Sequence, residues 1–83
     1  METYKHTLTG NVRKYIPWNR DTNRGGYGFI TGNDGIEYFF NAKYSFLPET
    51  EIKEGKEVKF SLRKGFDKKR GEFVLQATKV SKP

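Results

Sequence analysis

Gly25-Gly26-Tyr27-Gly28-Phe29-Ile30 and, after five intervening residues, Ile36-Glu37-Tyr38-Phe39-Phe40-Asn41 decide how this chain is read. The two segments hold five of its thirteen aromatic residues. Both alternate with the period of a β-strand, and Asn33-Asp34-Gly35 between them is turn chemistry, so the pair is predicted to form a β-hairpin.

The register follows from the pattern. Successive strand side chains point to opposite faces, so Ile36, Tyr38 and Phe40 share one face and Glu37, Phe39 and Asn41 the other. The all-apolar set is the expected core face. A type I turn over Asn33 and Asp34, closed by Gly35 in the left-handed conformation, pairs Gly32 with Ile36, Ile30 with Tyr38, Phe29 with Phe39 and Tyr27 with Asn41. Gly28 and Ile30 then point inward, and Tyr27, Phe29 and Phe39 lie outside beside Thr31, Glu37 and Asn41. A two-residue turn would set Phe29 against Tyr38 and mix the faces, which a sheet with one buried side does not tolerate.

Working outward, 83 residues make a single small domain with a modest core, expected as a barrel over about residues 7–80 with a frayed tail at 81–83. Cysteine is absent, which excludes a disulfide framework and a thiolate metal site. The chain has no apolar run of membrane-spanning length, and its first residues lack the apolar region of a secretory signal, so no membrane partner and a cytoplasmic location are expected. The net charge of +6 is uneven: residues 1–48 carry +2, residues 49–57 carry −2 and residues 58–83 carry +6. Basic charge combined with outward aromatics points toward nucleic acid more than either feature alone.

A first strand is read over residues 7–16, with Leu8, Gly10, Val12 and Ile16 on one side and Thr7, Thr9, Asn11, Arg13 and Tyr15 on the other; Gly10 marks a bulge or bend. Pro17 stops it, and 18–25 is a polar, exposed loop carrying Trp18. After the hairpin, 42–47 has no clean period and Pro48 ends a short helical turn. The acidic connection 49–55 is expected to stay away from any phosphate path. Residues 56–63 form a strand with Val58, Phe60 and Leu62 inward and Lys59, Ser61 and Arg63 outward. Residues 65–71 read as a glycine-bounded cationic loop, followed by a last strand at 72–80 with Leu75 and Ala77 inward. Five short strands without a long amphipathic helix predict an all-β fold, a five-stranded antiparallel barrel whose closure removes most exposed edges.

Several segments resemble the bacterial cold-shock proteins and the cold-shock domain, whose fold is a barrel of the oligonucleotide/oligosaccharide-binding type. Gly26-Tyr27-Gly28-Phe29-Ile30 is similar to the family's first ribonucleoprotein motif, with Gly25 where the family has lysine and Arg24 one position earlier. Glu37-Tyr38-Phe39-Phe40-Asn41 is similar to the second motif and puts Phe39 at the family's base-stacking phenylalanine. Gly10-Asn11-Val12-Arg13, Glu54 to Phe60 and Gln76 to Val80 resemble its first, fourth and fifth strands, so the likeness spans about residues 8–80. The chain departs from the pattern where the family's Trp-Phe gives way to Lys14-Tyr15, in an insertion that holds Trp18, and at Asn41-Ala42 in place of His-Phe. Trp18, Tyr44 or Phe46 is positioned in the chain to compensate.

The resemblance implies single-stranded RNA or DNA binding of low sequence specificity, RNA chaperoning and a role in stress. The expected stacking residues are Tyr27, Phe29, Phe39, Tyr15 and Trp18. Arg13, Lys14, Arg24, Asn41, Lys59, Arg63, Lys64, Lys68, Lys69 and Arg70 are the polar or phosphate-contacting candidates. A small protein-interaction module using the same aromatic face is the alternative. His6 is the sole histidine and has no metal-ligand spacing around it, no nucleophile and base can be assembled, and no helix follows the glycines to cradle a phosphate. A monomer without enzymatic activity, cofactor, metal or small-molecule substrate is therefore expected.

Overall fold

A computed structural model describes residues 7–83, and His6 lies outside them. The chain forms β1 (Leu8–Ile16), β2 (Tyr27–Gly32), β3 (Glu37–Asn41), β4 (Glu57–Asp67) and β5 (Glu72–Ser81), with short 3-10 turns at Ala42–Tyr44 and Glu49–Glu51. The strands close into a barrel in the order β1-β2-β3-β5-β4, the five-stranded all-β architecture expected. One contact departs from the antiparallel expectation: β3 and β5 run parallel, joined at Phe40 and Ala77. The β3–β4 connection requires this, because it crosses the end of the barrel rather than returning as a hairpin.

The β2–β3 hairpin has the register read from the sequence: Tyr27 faces Asn41, Phe29 faces Phe39 and Ile30 faces Tyr38. Gly35 closes the turn at φ 81°, a left-handed conformation that glycine adopts without the clash of a Cβ. Asp34 stabilises the same turn. Its carboxylate accepts from the Ile36 N–H at 3.0 Å and from the Tyr38 hydroxyl at 2.7 Å. These bonds hold the Asp34 carboxyl below its usual range, while burial and Asp34 push the Tyr38 phenol up to about 12.

Val12, Ile30, Tyr38, Phe40, Val58, Phe60, Ala77 and Val80 fill the interior. Leu47 and Ile52 join them from a segment whose sequence has no strand or helix period. They close the end of the barrel where β4 begins and β5 finishes: Phe46 N–H bonds Val80 O at 2.7 Å and Gly55 N–H bonds Val12 O at 2.7 Å.

Four expectations are corrected. First, β1 changes phase. Val12 pairs with Ile30 but Lys14 pairs with Phe29, so Arg13 is an extra, bulged residue. Beyond it Lys14 and Ile16 turn outward and Tyr15 turns inward, the reverse of a strict alternation from Leu8. Gly10 is not the bulge; it and Asn11 pair with both β2 (Gly32, Thr31) and β4 (Val58, Glu57), and a Cβ on Gly10 would collide with the Thr31 carbonyl. Second, Ile36 is 53% exposed because β3 begins only at Glu37 and no wall covers the residue before it. Third, residues 65–67 are strand rather than loop, so β4 and β5 run on as a two-stranded ribbon beyond the barrel, with Gly65 opposite Val74 and Asp67 opposite Glu72. Leu75, expected in the core, sits on that ribbon and is 40% exposed. Fourth, Ser81 is not frayed: it ends β5 opposite Lys59.

Candidate nucleic-acid interface

The outer face of β2 and β3 carries three half-buried rings in contact. Phe39 stands at the centre, 5.8 Å from Tyr27 in a stacked arrangement and 5.8 Å from Phe29 edge to face. The division of labour in the hairpin is set from behind. Gly28, Ile30, Tyr38 and Phe40 occupy the inner face and are buried, so the alternate residues have no choice but to face out. Gly28 allows close packing there, since a Cβ would strike the Lys14 carbonyl and the Phe40 ring.

The bulge at Arg13 determines what flanks the rings. It places Lys14 directly opposite Phe29, and Ile16 opposite Tyr27, on the outer surface. Arg13 itself pairs with Glu37 and is thereby partly neutralised. On the other flank, Phe40 lies beside Ala77, so Phe39 and Gln76, the outward residues preceding each, are adjacent. Gln76 faces Arg63 and accepts a hydrogen bond from its Nη1 at 3.3 Å. A row therefore runs across the sheet from Lys14 through Phe29, Phe39 and Gln76 to Arg63, cations at its ends and rings in its middle.

Arg63 also covers a fourth ring. Its guanidinium carbon is 4.6 Å from the Tyr44 centroid, and Lys43 Nζ approaches the same ring at 5.2 Å. Asn41 fixes Tyr44 in place by capping the 3-10 turn, its Oδ1 accepting the Lys43 N–H at 3.1 Å. Asn41 thus acts on the site through the backbone. The sequence marks Tyr44 only as a residue able to compensate; its pairing with Arg63 joins positions far apart in the chain and leaves no local signal. Phe46, the other such residue, is 72% exposed and lines a shallow groove with Pro48, Glu51, Lys59 and Lys82 instead.

Tyr15, expected on the stacking face, is corrected to the interior side. Its ring stacks on Phe40 at 5.9 Å, and its hydroxyl donates to Glu49 Oε2 at 2.5 Å. Burial and the Glu49 carboxylate push the Tyr15 phenol well above its usual range. The same Oε2 accepts the Trp18 N–H at 2.7 Å, and both bonds hold the Glu49 carboxyl below its usual value. Glu49 belongs to the acidic connection expected to stay away from any phosphate path. It anchors the Trp18 loop.

That loop is a miniature hairpin. Asn19 and Arg24 exchange backbone hydrogen bonds at 2.7 and 3.2 Å, and Asn19 Oδ1 accepts the N–H groups of Asp21 and Thr22. Gly25 returns the chain at φ 94° hard against Pro17, leaving no room for the side chain that the family motif would put there. Trp18, half exposed, lies against Gly26: a Cβ on that glycine would be 3.7 Å from Trp18 Cβ and Cε3. The indole therefore stands at the edge of the three-ring face, next to the residue preceding Tyr27. Arg24 is exposed at the base of the loop.

The remaining cations do not share this face. Lys59 is opposite Thr9 on the β1–β4 side of the barrel. Lys64 belongs to the ribbon, and Lys68, Lys69 and Arg70 form its tip, about 13 Å beyond Arg63 at roughly 3.3 Å per strand residue. Among the described residues no cluster of His, Asp or Glu could hold a metal ion. The chain matches no protein-family model and no curated protein.

Proposed function

We propose that the outer face of β1, β2 and β3 binds single-stranded nucleic acid, RNA or DNA, with little sequence preference. The observation that carries this reading is the contact of Tyr27, Phe29 and Phe39 on one open face with Lys14 and Arg63 flanking it. Unpaired bases stack on such rings, each contact contributing roughly 1–3 kcal/mol whatever the base, and the flanking cations answer the phosphates. Trp18 at one edge and the Tyr44–Arg63 pair at the other extend the footprint. The resemblance of the two motif segments to cold-shock proteins supports the same reading. A protein that prefers unpaired strands opens hairpins by mass action without ATP, which is chaperoning of RNA.

The test is titration of the protein with a labelled short oligopyrimidine at low salt, followed by anisotropy and by Trp18 emission, for wild type and Phe29→Ala/Phe39→Ala. Binding that weakens with salt and collapses in the double variant is expected. Full retention of affinity in the double variant would sink the stacking model. Absence of binding at low salt would favour a protein partner on the same face.

A further inference from the structure

The β4–β5 ribbon is left over from the site described above. Over Glu72–Leu75, β5 has no partner on its β3 side among the described residues. Among the described residues this β5 edge thus carries a row of unpaired backbone N–H and C=O groups. One face of the ribbon continues the barrel interior, with Lys64 opposite Leu75 and Phe66 opposite Phe73, and among the described residues no wall stands over it. Phe66 is 51% and Phe73 62% exposed, and the two rings meet edge to face at 5.1 Å. The tip is cationic. Asp67 is occupied in the turn, accepting the N–H groups of Lys69 and Arg70, and Lys64, Lys68 and Lys69 have no carboxylate partner among the described residues.

We infer that this ribbon is a docking edge for an extended, acidic polypeptide segment that adds to it as a further strand. Three features must be answered together: a backbone edge, an apolar face and uncompensated cations. A bilayer would meet the charged tip before the rings, which places the cations deeper than the apolar side chains. A second copy of the chain brings the same lysines, and charge on an exposed edge opposes self-pairing. Nucleic acid answers the cations and rings but has no donors on its phosphates for the edge carbonyls. An extended acidic peptide answers all three: its backbone pairs with the edge, alternate apolar side chains cover Phe66, Phe73 and Leu75, and its carboxylates reach the tip. This inference is independent of the stacking face.

The experiment uses the whole protein and a labelled synthetic peptide, a glutamate cluster followed by alternating valine and threonine. Anisotropy at low salt is expected to detect binding that falls by about tenfold or more in Lys68→Gln/Lys69→Gln. Phe66→Ser/Phe73→Ser is expected to weaken it similarly, while Phe29→Ala/Phe39→Ala leaves it unchanged. The same peptide N-methylated at alternate residues, which removes the edge hydrogen bonds and leaves the protein untouched, is expected not to bind. Equal binding of the N-methylated peptide, no binding at low salt, or capture by the ribbon of an oligonucleotide or anionic vesicles in preference to the peptide would each overturn the inference.

Discussion

Two hairpins of this barrel carry a cross-strand phenylalanine pair, Phe29 with Phe39 on β2–β3 and Phe66 with Phe73 on β4–β5. Both pairs meet edge to face, at 5.8 and 5.1 Å. Their surroundings differ. Behind the first pair stand Ile30, Tyr38 and Phe40, buried in the closed barrel, so the rings rest on a rigid wall and present one side to solvent. The second pair projects from a free ribbon, on the face that would have been core had the barrel been taller. Local pairing is the same in both; what a ring can do is decided by the layer behind it.

The sharpest way to break this comparison is to remove that layer. Phe40→Ala leaves a cavity in the barrel and is expected to cost about 3–5 kcal/mol, comparable to the whole stability of a small domain. Loss of the cooperative urea transition is the predicted result. Phe29→Ala, on the opposite face of the same hairpin, should cost no more than about 1 kcal/mol. Equal destabilisation by the two would mean that the faces are not divided as described.

Affinity should divide the hairpins the other way. Phe29→Ala/Phe39→Ala is expected to weaken oligopyrimidine binding by at least about thirtyfold, from roughly 1–3 kcal/mol per stacked base. Phe66→Ala/Phe73→Ala should leave it within about twofold. Lys14→Gln and Arg63→Gln, tested over a salt series, should each reduce the slope of log affinity against log salt by about 0.7 if each meets one phosphate.

A smaller effect concerns the ribbon itself. Its amides are expected to exchange with solvent faster than those of β2 and β3, and Phe73→Ala should change global stability by no more than about 0.5 kcal/mol. Ribbon protection equal to that of the barrel would show that the two hairpins share support after all.

The smallest expected change lies at the edge of the stacking face. Glu49 has a lowered pKa in the folded chain, so the bonds to Tyr15 and Trp18 contribute at pH above its ordinary 4.5 and are lost as the pH falls through the lower folded value. Trp18 emission should shift with a midpoint below 4.5, and Glu49→Gln should abolish that step. A midpoint at or above the ordinary value would mean that the carboxylate does not hold the loop.

The parts of this structure legible in the sequence are those fixed by neighbours in the chain. Asn33-Asp34-Gly35 specifies a turn, the turn specifies a register, and alternation then assigns Tyr27, Phe29 and Phe39 to one face and Ile30, Tyr38 and Phe40 to the other. Phases that depend on distant partners were not legible. Ile36 and Leu75 have the right parity for the core, but burial also needs a wall opposite them, and the barrel stops short of both. Leu47 and Ile52 are buried although their segment has no period, because a chain crossing the end of a barrel needs only single anchors. Glu49 looks like one more charge in an acidic run; its partners, Tyr15 and Trp18, come from more than thirty residues away.

Arg13 works on β1 as a single inserted letter works on a reading frame. Every side chain before it is read in one phase and every side chain after it in the other, so the strand offers Val12 to the interior and Lys14 to the surface with one unpaired residue between them. Replacing Arg13 with another residue would leave that frame intact. Deleting it would merge the two phases into one plain alternation, with Lys14 directly after Val12 and still outward beside Phe29, Tyr15 inward and Ile16 outward. A scan of substitutions is blind to this feature, whereas deletion of this one codon would remove the bulge and leave both faces of the strand in place.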